Sequence, residues 1–427
     1  MDALVLLGSF IVLMMVGVPV AYALGMASLI GAFWIDLPLD GVMIQIAAGV
    51  NKFSLLAIPF FVLAGAIMAE GGMARRLVNF ANVFVGFLRG GLSLVNILAS
   101  TFFGAISGSS VADTASIGSV LIPEMEKKGY PRDFATAVTV SGSIQATLIP
   151  PSHNAVIYSL AAGGSVSVAG LFLAGVLPGL LLGVTIAAMC LWIARKRQFP
   201  VGERVPIRQA LRICVDALWG LMTMVIILGG ILSGIFTATE SASIAVLWAF
   251  FVTMFIYRDY RWSDLPKLMH RTVKTVTIVM MLIGFAASFG YLMTLMQIPA
   301  KATAFFVGVS DSKVVILLMI NVMLLMLGTL MDMAPLILIC TPILLPVVTS
   351  LGVDPVHFGM IMIINLGIGL VTPPVGSVLF VGSAVSKLPI GVVTKAMSPF
   401  FIALLIVLAF VTYVPAISLW LPRLMGV

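Results

Sequence analysis

Charged residues are scarce in this sequence: Asp, Glu, Lys and Arg make up 9% of its 427 residues, whereas 61% are hydrophobic. Soluble globular proteins carry about 25% charged residues, so the composition excludes a soluble domain and a disordered chain. A net charge of +7 does not indicate nucleic-acid binding, because the basic residues lie in short loops between apolar runs. At about 20 residues for each span, the apolar content suffices for roughly ten or more membrane helices.

Cysteines and catalytic motifs are also lacking. The three cysteines, Cys190, Cys214 and Cys340, have no paired spacing, which predicts neither a disulfide framework nor a transition-metal site. The sequence contains no zinc-protease helix motif, no hydrolase nucleophile elbow and no nucleotide-binding loop. We therefore do not expect an enzyme. Any transport by this chain is expected to draw on an ion gradient or a partner rather than on ATP bound here.

The basic residues that are present predict the path of the chain. Most of the 23 fall into five clusters, at 75–89, 127–132, 195–212, 258–274 and 387–395. Placing all five clusters in the cytoplasm gives the asymmetry that orients membrane proteins, and it puts both chain termini on the outer side. The first two clusters then share a side, although a mostly apolar stretch interrupted near Gly108 separates them. We therefore predict a re-entrant hairpin over 92–123 that opens inward.

The second half follows the same logic with the opposite orientation. Lys301 and Lys313 fall outside and Lys387 falls inside, which predicts an outward-opening hairpin over 314–349 with a polar tip around Gly328. Each half contains one Pro-Pro pair, Pro150-Pro151 and Pro373-Pro374, where a spanning helix is expected to break.

The two halves repeat the same order of elements. Residues 1–200 are predicted to contain scaffold spans at 3–35, the hairpin 92–123 and a broken helix 134–163. Residues 201–427 are predicted to contain scaffold spans at 217–257, a connector at 257–274, the hairpin 314–349 and a broken helix 357–386. Because the hairpins open to opposite sides, the chain is predicted to be an all-α polytopic membrane protein built as an inverted-topology repeat. Such repeats are common in secondary transporters.

Helices that break inside a membrane leave backbone groups free to bind ions. Free carbonyl oxygens and nearby hydroxyls suit a dehydrated sodium ion, and half-helix N-termini suit a carboxylate. Pro150 and Pro373 also remove backbone donors. Polar side chains at the tips and breaks are candidate substrate contacts: Ser110, Ser152, Asn154, Thr329 and Ser377.

Two carboxylates lie near the hairpin tips. An intramembrane carboxylate is a functional-site hypothesis, and its alternative is a structural role at a helix N-terminus. For Asp113 we favour the helix cap, whereas for Asp332, beside Thr329, we favour cation coordination. His153 is interpreted as an interior residue, with substrate contact as the alternative. Glu240 lies three residues after Thr237, the spacing of a capping box.

Several motifs resemble one transporter family. They are Gly17–Gly25, Leu55–Gly65, Gly108-Ser-Ser-Val-Ala-Asp-Thr-Ala-Ser-Ile-Gly118, Gly129–Asp133, Gly328-Thr-Leu-Met-Asp332 and Gly369-Leu-Val-Thr-Pro-Pro-Val-Gly376. With these motifs taken together, the chain resembles the large membrane subunit of tripartite ATP-independent periplasmic (TRAP) transporters. Among those transporters it resembles the sialic-acid type.

The resemblance implies an elevator-type importer that couples sodium to an organic acid, either sialic acid or a C4-dicarboxylate, in a bacterial inner membrane. It implies two partners, a small four-helix membrane subunit and a periplasmic substrate-binding protein, and at least two sodium ions. The implied sodium ligands are Ser107, Ser109, Thr147 and Pro150 at one site and Gly328, Asp332, Gly369 and Thr372 at the other. The alternative is a stand-alone divalent-anion/sodium symporter that needs no binding protein.

Overall fold

The computed structural model describes residues 1–426, and within them the chain is helical, with a single isolated bridge between Arg89 and Val201 in place of any strand. Helices dominate because a chain this apolar must satisfy its backbone hydrogen bonds internally when it lies in lipid. Eight of the described helical segments are long and apolar enough to cross a membrane. The predicted all-α polytopic membrane class is confirmed.

Helices of the first half run in chain order as follows: α1 (Asp2–Met15), α2 (Val20–Trp34), α3 (Leu39–Val50), α4 (Ala57–Glu70), α5 (Met73–Val85), α6 (Gly91–Ser107), α7 (Ser110–Lys127), α8 (Arg132–Gly142), α9 (Gln145–Leu148), α10 (His153–Ala161) and α11 (Val168–Lys196).

Helices of the second half continue as α12 (Ile207–Leu232), α13 (Ala238–Phe251), α14 (Leu265–Leu295), α15 (Ile298–Val309), α16 (Lys313–Leu330), α17 (Met333–Ser350), α18 (Pro355–Gly369), α19 (Ser377–Ser386), α20 (Ile390–Tyr413) and α21 (Ala416–Leu424). A capping box of Thr237 and Glu240 starts α13, as predicted, and a π-helical turn, Val252–Tyr257, extends it.

Helix α11 connects the two faces of the molecule. Its 29 residues extend over about 43 Å at 1.5 Å per residue, which exceeds the hydrocarbon thickness of a bilayer. The open end of the first hairpin, α6 and α7, lies at the C-terminal end of α11. There the Gly90 amide donates to the Pro200 carbonyl at 3.1 Å, and the rings of Tyr130 and Phe199 lie 4.7 Å apart.

The second hairpin, α16 and α17, enters from the other face. Its two ends meet where Lys313 Nζ donates to the Gly352 carbonyl at 3.3 Å. The hydroxyl of Tyr158, just before the N-terminal end of α11, donates to the Pro355 carbonyl at 2.7 Å. The two predicted hairpins are therefore confirmed, with slightly wider bounds, and they approach the middle of the molecule from opposite ends of α11.

Two broken helices lie antiparallel between the hairpins. The first runs through α8, α9 and α10 with its break at 149–152, and the second runs through α18 and α19 with its break at 370–376. Arg132 at the start of the first donates through Nε to the Ser386 carbonyl at the end of the second, at 2.7 Å. Both predicted breaks are thus confirmed and lie side by side.

Reciprocal packing supports the inverted repeat. Helix α4 of the first half packs on α13 of the second, and the corresponding helix α14 packs on α2. Likewise α7 packs on α19 while α17 packs on α10. This exchange of equivalent partners is expected when two halves are related by a two-fold axis in the membrane plane. The exact division into 1–200 and 201–427 stays a prediction.

The basic clusters gather on one face. Arg76 on α5 pairs with Asp216 at 3.1 Å and with Asp259, and Arg271 on α14 pairs with Glu70 at 2.7 Å. One expectation was wrong: the connector at 257–274 is not a separate element over its whole length. Helix α14 runs unbroken from Leu265, because no Gly or Pro interrupts the chain between Lys267 and Ile283.

Close helix packing in this fold depends on glycine, and Gly175 on α11 provides a test. A Cβ built on Gly175 would lie 2.1 Å from the Leu148 carbonyl oxygen, whereas one built on Gly229 in α12 meets nothing within 4 Å. We expect Gly175→Ala to lower the free energy of unfolding by about 1–3 kcal/mol through overpacking. Gly229→Ala is the matched control, expected to be neutral or stabilising. Thermal unfolding of the purified chain measures both, and equal effects would contradict the packing argument.

Candidate functional site

The tip of the first hairpin packs against the first helix break. Ser107 ends α6, and Gly108 turns the chain with φ +60°, a left-handed conformation that favours glycine. A Cβ on Gly108 would lie 2.6 Å from the Pro151 carbonyl oxygen. The Ser109 hydroxyl then caps α7 by accepting from the Ala112 amide at 3.3 Å. The tip and the break therefore form one compact unit.

The tip of the second hairpin packs against the second break in the same way. The Val375 amide donates to the Thr329 carbonyl at 3.0 Å, and a Cβ on Gly369 would lie 2.6 Å from Gly328 Cα. Asp332 occupies the N-cap position of α17 but makes no capping hydrogen bond with its side chain. Its carboxylate is exposed and accepts only a long hydrogen bond, at 3.4 Å, from Ser377.

The two breaks also contact each other. A Cβ on Gly367 of α18 would lie 3.5 Å from Thr147 Oγ1 of α9. The Thr147 and Thr372 hydroxyls donate to the carbonyls of Ile144 and Ile368 at 2.8 and 2.7 Å. Their remaining lone pairs are free to accept or to coordinate a cation.

Both tips face one cavity of about 450 Å³. Helices α4 and α14 close its other side, through Gly65 and Val279 among others. Six of the residues predicted from the sequence line it: Ser107, Ser109, Ser110, Thr147, Asn154 and Asp332. The structure therefore brings residues from both halves of the chain to a single space.

Three helix N-termini converge on this cavity. Helices α7, α10 and α17 begin at Ser110, His153 and Met333, and all three residues line the wall. The N-terminus of a helix carries partial positive charge and free N–H groups, so it favours an anion. The cavity thus combines anion-favouring helix ends with an exposed carboxylate, Asp332, an arrangement suited to an anion bound together with cations.

Seven other predicted residues do not line the cavity. Pro150, Ser152 and Thr372 lie within the breaks, and the other four lie at the ends of α16, α18 and α19: Gly328, Thr329, Gly369 and Ser377. Ser152 is 1% exposed, and its hydroxyl donates to the Thr147 carbonyl at 2.6 Å. Thr329 donates to the Met326 carbonyl at 2.7 Å. In this conformation these two hydroxyls hold the backbone of a break or a tip together.

His153, interpreted from the sequence as an interior residue with substrate contact as the alternative, lines the cavity. A Cβ on Gly108 would lie 3.5 Å from its Nδ1, and Asp332 of the opposite hairpin lines the same cavity. The signal that could have identified it is its position at the start of the half-helix that follows Pro150-Pro151. A side chain there must point toward the tip that packs on the break.

Asp113 differs from the expected helix cap. Ser109 caps α7, and Asp113 lies in the first turn with 0% exposure and no hydrogen-bond partner on either carboxylate oxygen. The helix dipole stabilises such a charge by at most about 2 kcal/mol, whereas burying an unpaired carboxylate costs several kcal/mol. The structure therefore corrects the capping interpretation and leaves this charge uncompensated by protein groups.

The oxygen-rich tips and breaks fit an alkali cation rather than a transition metal. Within residues 1–426 no group of three or more His, Cys, Asp or Glu side chains could hold a metal ion. Carbonyl and hydroxyl oxygens are ligands typical of hard cations, and unwound membrane helices supply such oxygens for sodium.

The cavity adjoins a cleft at the basic face. It shares wall residues Ala69 and Ala115 with a cleft of about 650 Å³ that Glu70, Arg76 and Asp259 also line. A cavity of about 330 Å³ on the other face, beside Lys52, shares no described wall residue with it. Of these two spaces, only the cleft at the basic face shares described wall residues with the cavity between the tips.

Comparison with known proteins gives consistent matches. Residues 7–417 match the family described as tripartite ATP-independent periplasmic transporter, DctM component. The chain is 44% identical to the C4-dicarboxylate TRAP transporter large permease protein DctM of Pseudomonas aeruginosa, over 88% of each chain. It is 37% identical to the sialic acid TRAP transporter large permease protein SiaM of Vibrio cholerae, over 96% of each. The Alcanivorax borkumensis YdaH transporter shares the fold, with a TM-score of 0.62 at 15% identity over 91% of this chain and 89% of that one.

The contact between the second tip and its break is testable by cross-linking. We expect Thr329→Cys and Val375→Cys to form a disulfide on mild oxidation, because residues joined by a backbone hydrogen bond of 3.0 Å lie within the roughly 4.4–6.8 Å Cα separation of disulfides. Protection of both thiols from a maleimide reagent measures it, in a background without Cys190, Cys214 and Cys340. The single variants are the controls, and full labelling of the double variant would rule out the contact.

Proposed function

The chain belongs to the DctM-component family of tripartite ATP-independent periplasmic transporters, and we propose that it is the large subunit of a sodium-coupled importer of organic acids. The relatives are permeases, so the chain is a multi-pass inner-membrane transporter and not an enzyme. The observation that carries the proposal is the meeting of two hairpin tips, from opposite faces, at one cavity beside two helix breaks.

The first sodium ion is assigned to the first tip and break. The ligands would be Ser107, Ser109, Thr147 and Pro150. Ser107 and Ser109 lie on the cavity wall together with Thr147, and Pro150 contributes a carbonyl in an irregular segment where helical hydrogen bonds are interrupted. These oxygens replace part of the hydration shell of the ion.

The second sodium ion is assigned to the second tip and break, with Gly328, Asp332, Gly369 and Thr372 as ligands. Gly328 and Gly369 are close enough that no side chain fits between their backbones. Asp332 adds a negative charge, and its carboxylate oxygens make no capping hydrogen bond to α17. Two sites built alike on the two halves support a stoichiometry of at least two sodium ions.

The organic acid is proposed to bind in the shared cavity, with a carboxylate at the converging helix N-termini. Asn154 and His153 line that wall, and Asn154 is 4% exposed. Ser110, Ser152, Thr329 and Ser377 lie close behind it and stay candidate contacts. The named relatives transport a C4-dicarboxylate and sialic acid, and carboxylates are common to both. The higher identity is to the C4-dicarboxylate relative.

Transport is proposed to use an elevator motion. The tips and breaks move as a unit against a scaffold that includes α4 and α14, whose side chains form the opposite cavity wall. With the basic clusters in the cytoplasm, the cavity described here is open inward and both termini lie in the periplasm. The tripartite family description supports two further components, a small four-helix membrane subunit and a periplasmic binding protein that delivers the acid.

Reconstitution tests the coupling. In proteoliposomes containing this chain, the small subunit and the binding protein, uptake of a C4-dicarboxylate or of sialic acid is expected only with an inward sodium gradient. Replacing sodium by choline is expected to reduce uptake to background, because the sodium ions that bind at the two hairpin tips would be absent. Uptake indifferent to sodium would contradict the proposal. Full uptake without the binding protein would instead favour the stand-alone symporter.

A single carboxylate tests the second sodium site. We expect Asp332→Asn to raise the sodium concentration for half-maximal uptake by about tenfold, equivalent to about 1.4 kcal/mol, because the variant keeps the shape and loses the charge. Asp36→Asn is the matched control, since Asp36 is exposed in a left-handed turn with φ 53° that Asn tolerates. An unchanged sodium dependence in Asp332→Asn would remove Asp332 from the site.

A further inference from the structure

The two proposed sodium sites leave one buried charge unexplained, inside the first hairpin. Asp113 is 0% exposed and neither carboxylate oxygen has a hydrogen-bond partner. Three hydroxyls of the same hairpin share that condition: Ser100, Ser110 and Thr114 are at most 2% exposed, and each has a buried Oγ without a partner. Asn96 Oδ1 on α6 is also buried without a partner, so five such groups lie in this hairpin. Buried polar atoms are almost always satisfied, and this concentration indicates a ligand.

The four groups are close together. Ser110, Asp113 and Thr114 occupy positions i, i+3 and i+4 of α7 and therefore share one face of that helix. Ser100 lies on α6, the other arm, which packs against α7. Ser110 also lines the central cavity, but its Oγ is turned away from solvent. The unpartnered oxygens of all four residues are thus shielded from solvent.

The electrostatic surroundings favour a cation. Among residues 1–426 no Lys, Arg or His forms an ion pair with Asp113. The C-terminal end of α8 adjoins the group, since a Cβ on Gly142 would lie 3.8 Å from Ser100 Oγ, and a helix C-terminus carries partial negative charge. The N-terminus of α7 is of opposite sign, but its dipole offsets only a fraction of a buried charge.

We propose that Asp113, Ser100, Ser110 and Thr114 form a buried sodium site within the first hairpin, distinct from the sites at the two breaks. One carboxylate with three neutral hydroxyls balances a single positive charge, whereas calcium sites usually supply several carboxylates. The ion joins α6 to α7 just behind the tip and so orders the tip that faces the cavity. The inference rests on the sodium coupling of the proposed function, and it adds an ion to the minimum of two.

Thermal unfolding of the purified full chain tests the site without measuring transport. Wild-type protein is expected to gain thermal stability as sodium replaces choline at constant ionic strength. In Asp113→Asn the gain is expected to be less than about half of the wild-type gain, because an ion that binds only the folded protein stabilises it. In sodium-free choline the same variant is expected to be more stable than wild type, because an unpaired buried charge has been replaced by a neutral side chain of the same shape.

The controls separate this site from the proposed function. Asp311→Asn, in an exposed loop, is expected to behave as wild type. If wild type gains nothing from sodium, both the coupling and this site are wrong. If wild type responds and Asp113→Asn responds equally, only the site inside the hairpin is wrong. Greater wild-type stability at low pH, with sodium no better than choline, would mean that Asp113 holds a proton, and it would overturn the cation site.

Two milder variants keep the test decisive if Asp113→Asn does not fold. Ser100→Ala and Thr114→Val retain the carboxylate and each remove one neutral ligand. Both are expected to raise the sodium concentration for half-maximal stabilisation severalfold while leaving a response at high sodium. A sodium response identical to wild type in both variants would overturn the proposal.

Discussion

The constraint on which this fold depends is that helix ends inside a membrane need partners for their backbone groups. The chain breaks at 149–152 and 370–376 and turns at two hairpin tips, where lipid could not satisfy the exposed N–H and C=O groups. The structure meets this constraint by packing each tip on a break. The backbone bond from Val375 to Thr329 is one visible result, and the close approach of Gly108 to Pro151 is another.

The same arrangement creates chemistry that an unbroken helix cannot supply. Helix N-termini that would normally lie at the membrane surface point into a central cavity, together with hydroxyls and a carboxylate. Partial positive charge for an anion and oxygen ligands for cations therefore lie within one space. Because the tips come from opposite faces, the proposed movement of tips and breaks against α4 and α14 would change which face the cavity meets. The fold and the proposed coupling therefore both depend on the interrupted helices.

Sequence reasoning succeeded where a local pattern has one physical meaning. The two Pro-Pro pairs located both breaks, and the charge clusters located both hairpins, because basic residues and proline constrain a membrane helix regardless of its neighbours. Sequence reasoning failed where the role of a residue depends on the residues that the fold places beside it. Asp113 has the sequence position of a cap, yet Ser109 takes that role. His153 gives no signal apart from following a break, and only the tertiary structure places it on the same cavity as Asp332 of the opposing hairpin.

The sequence by itself determined the membrane class, the repeated order of elements, the hairpins and the breaks, because composition, charge asymmetry and proline act locally on each segment. Only the tertiary structure decided which polar groups share a space. It brought Ser107 and Asn154 of one half to the same cavity as Asp332 of the other, and it buried Asp113 without an ion pair among the described residues. Those outcomes depend on how two halves of a chain interlock, which spacing along the sequence does not encode.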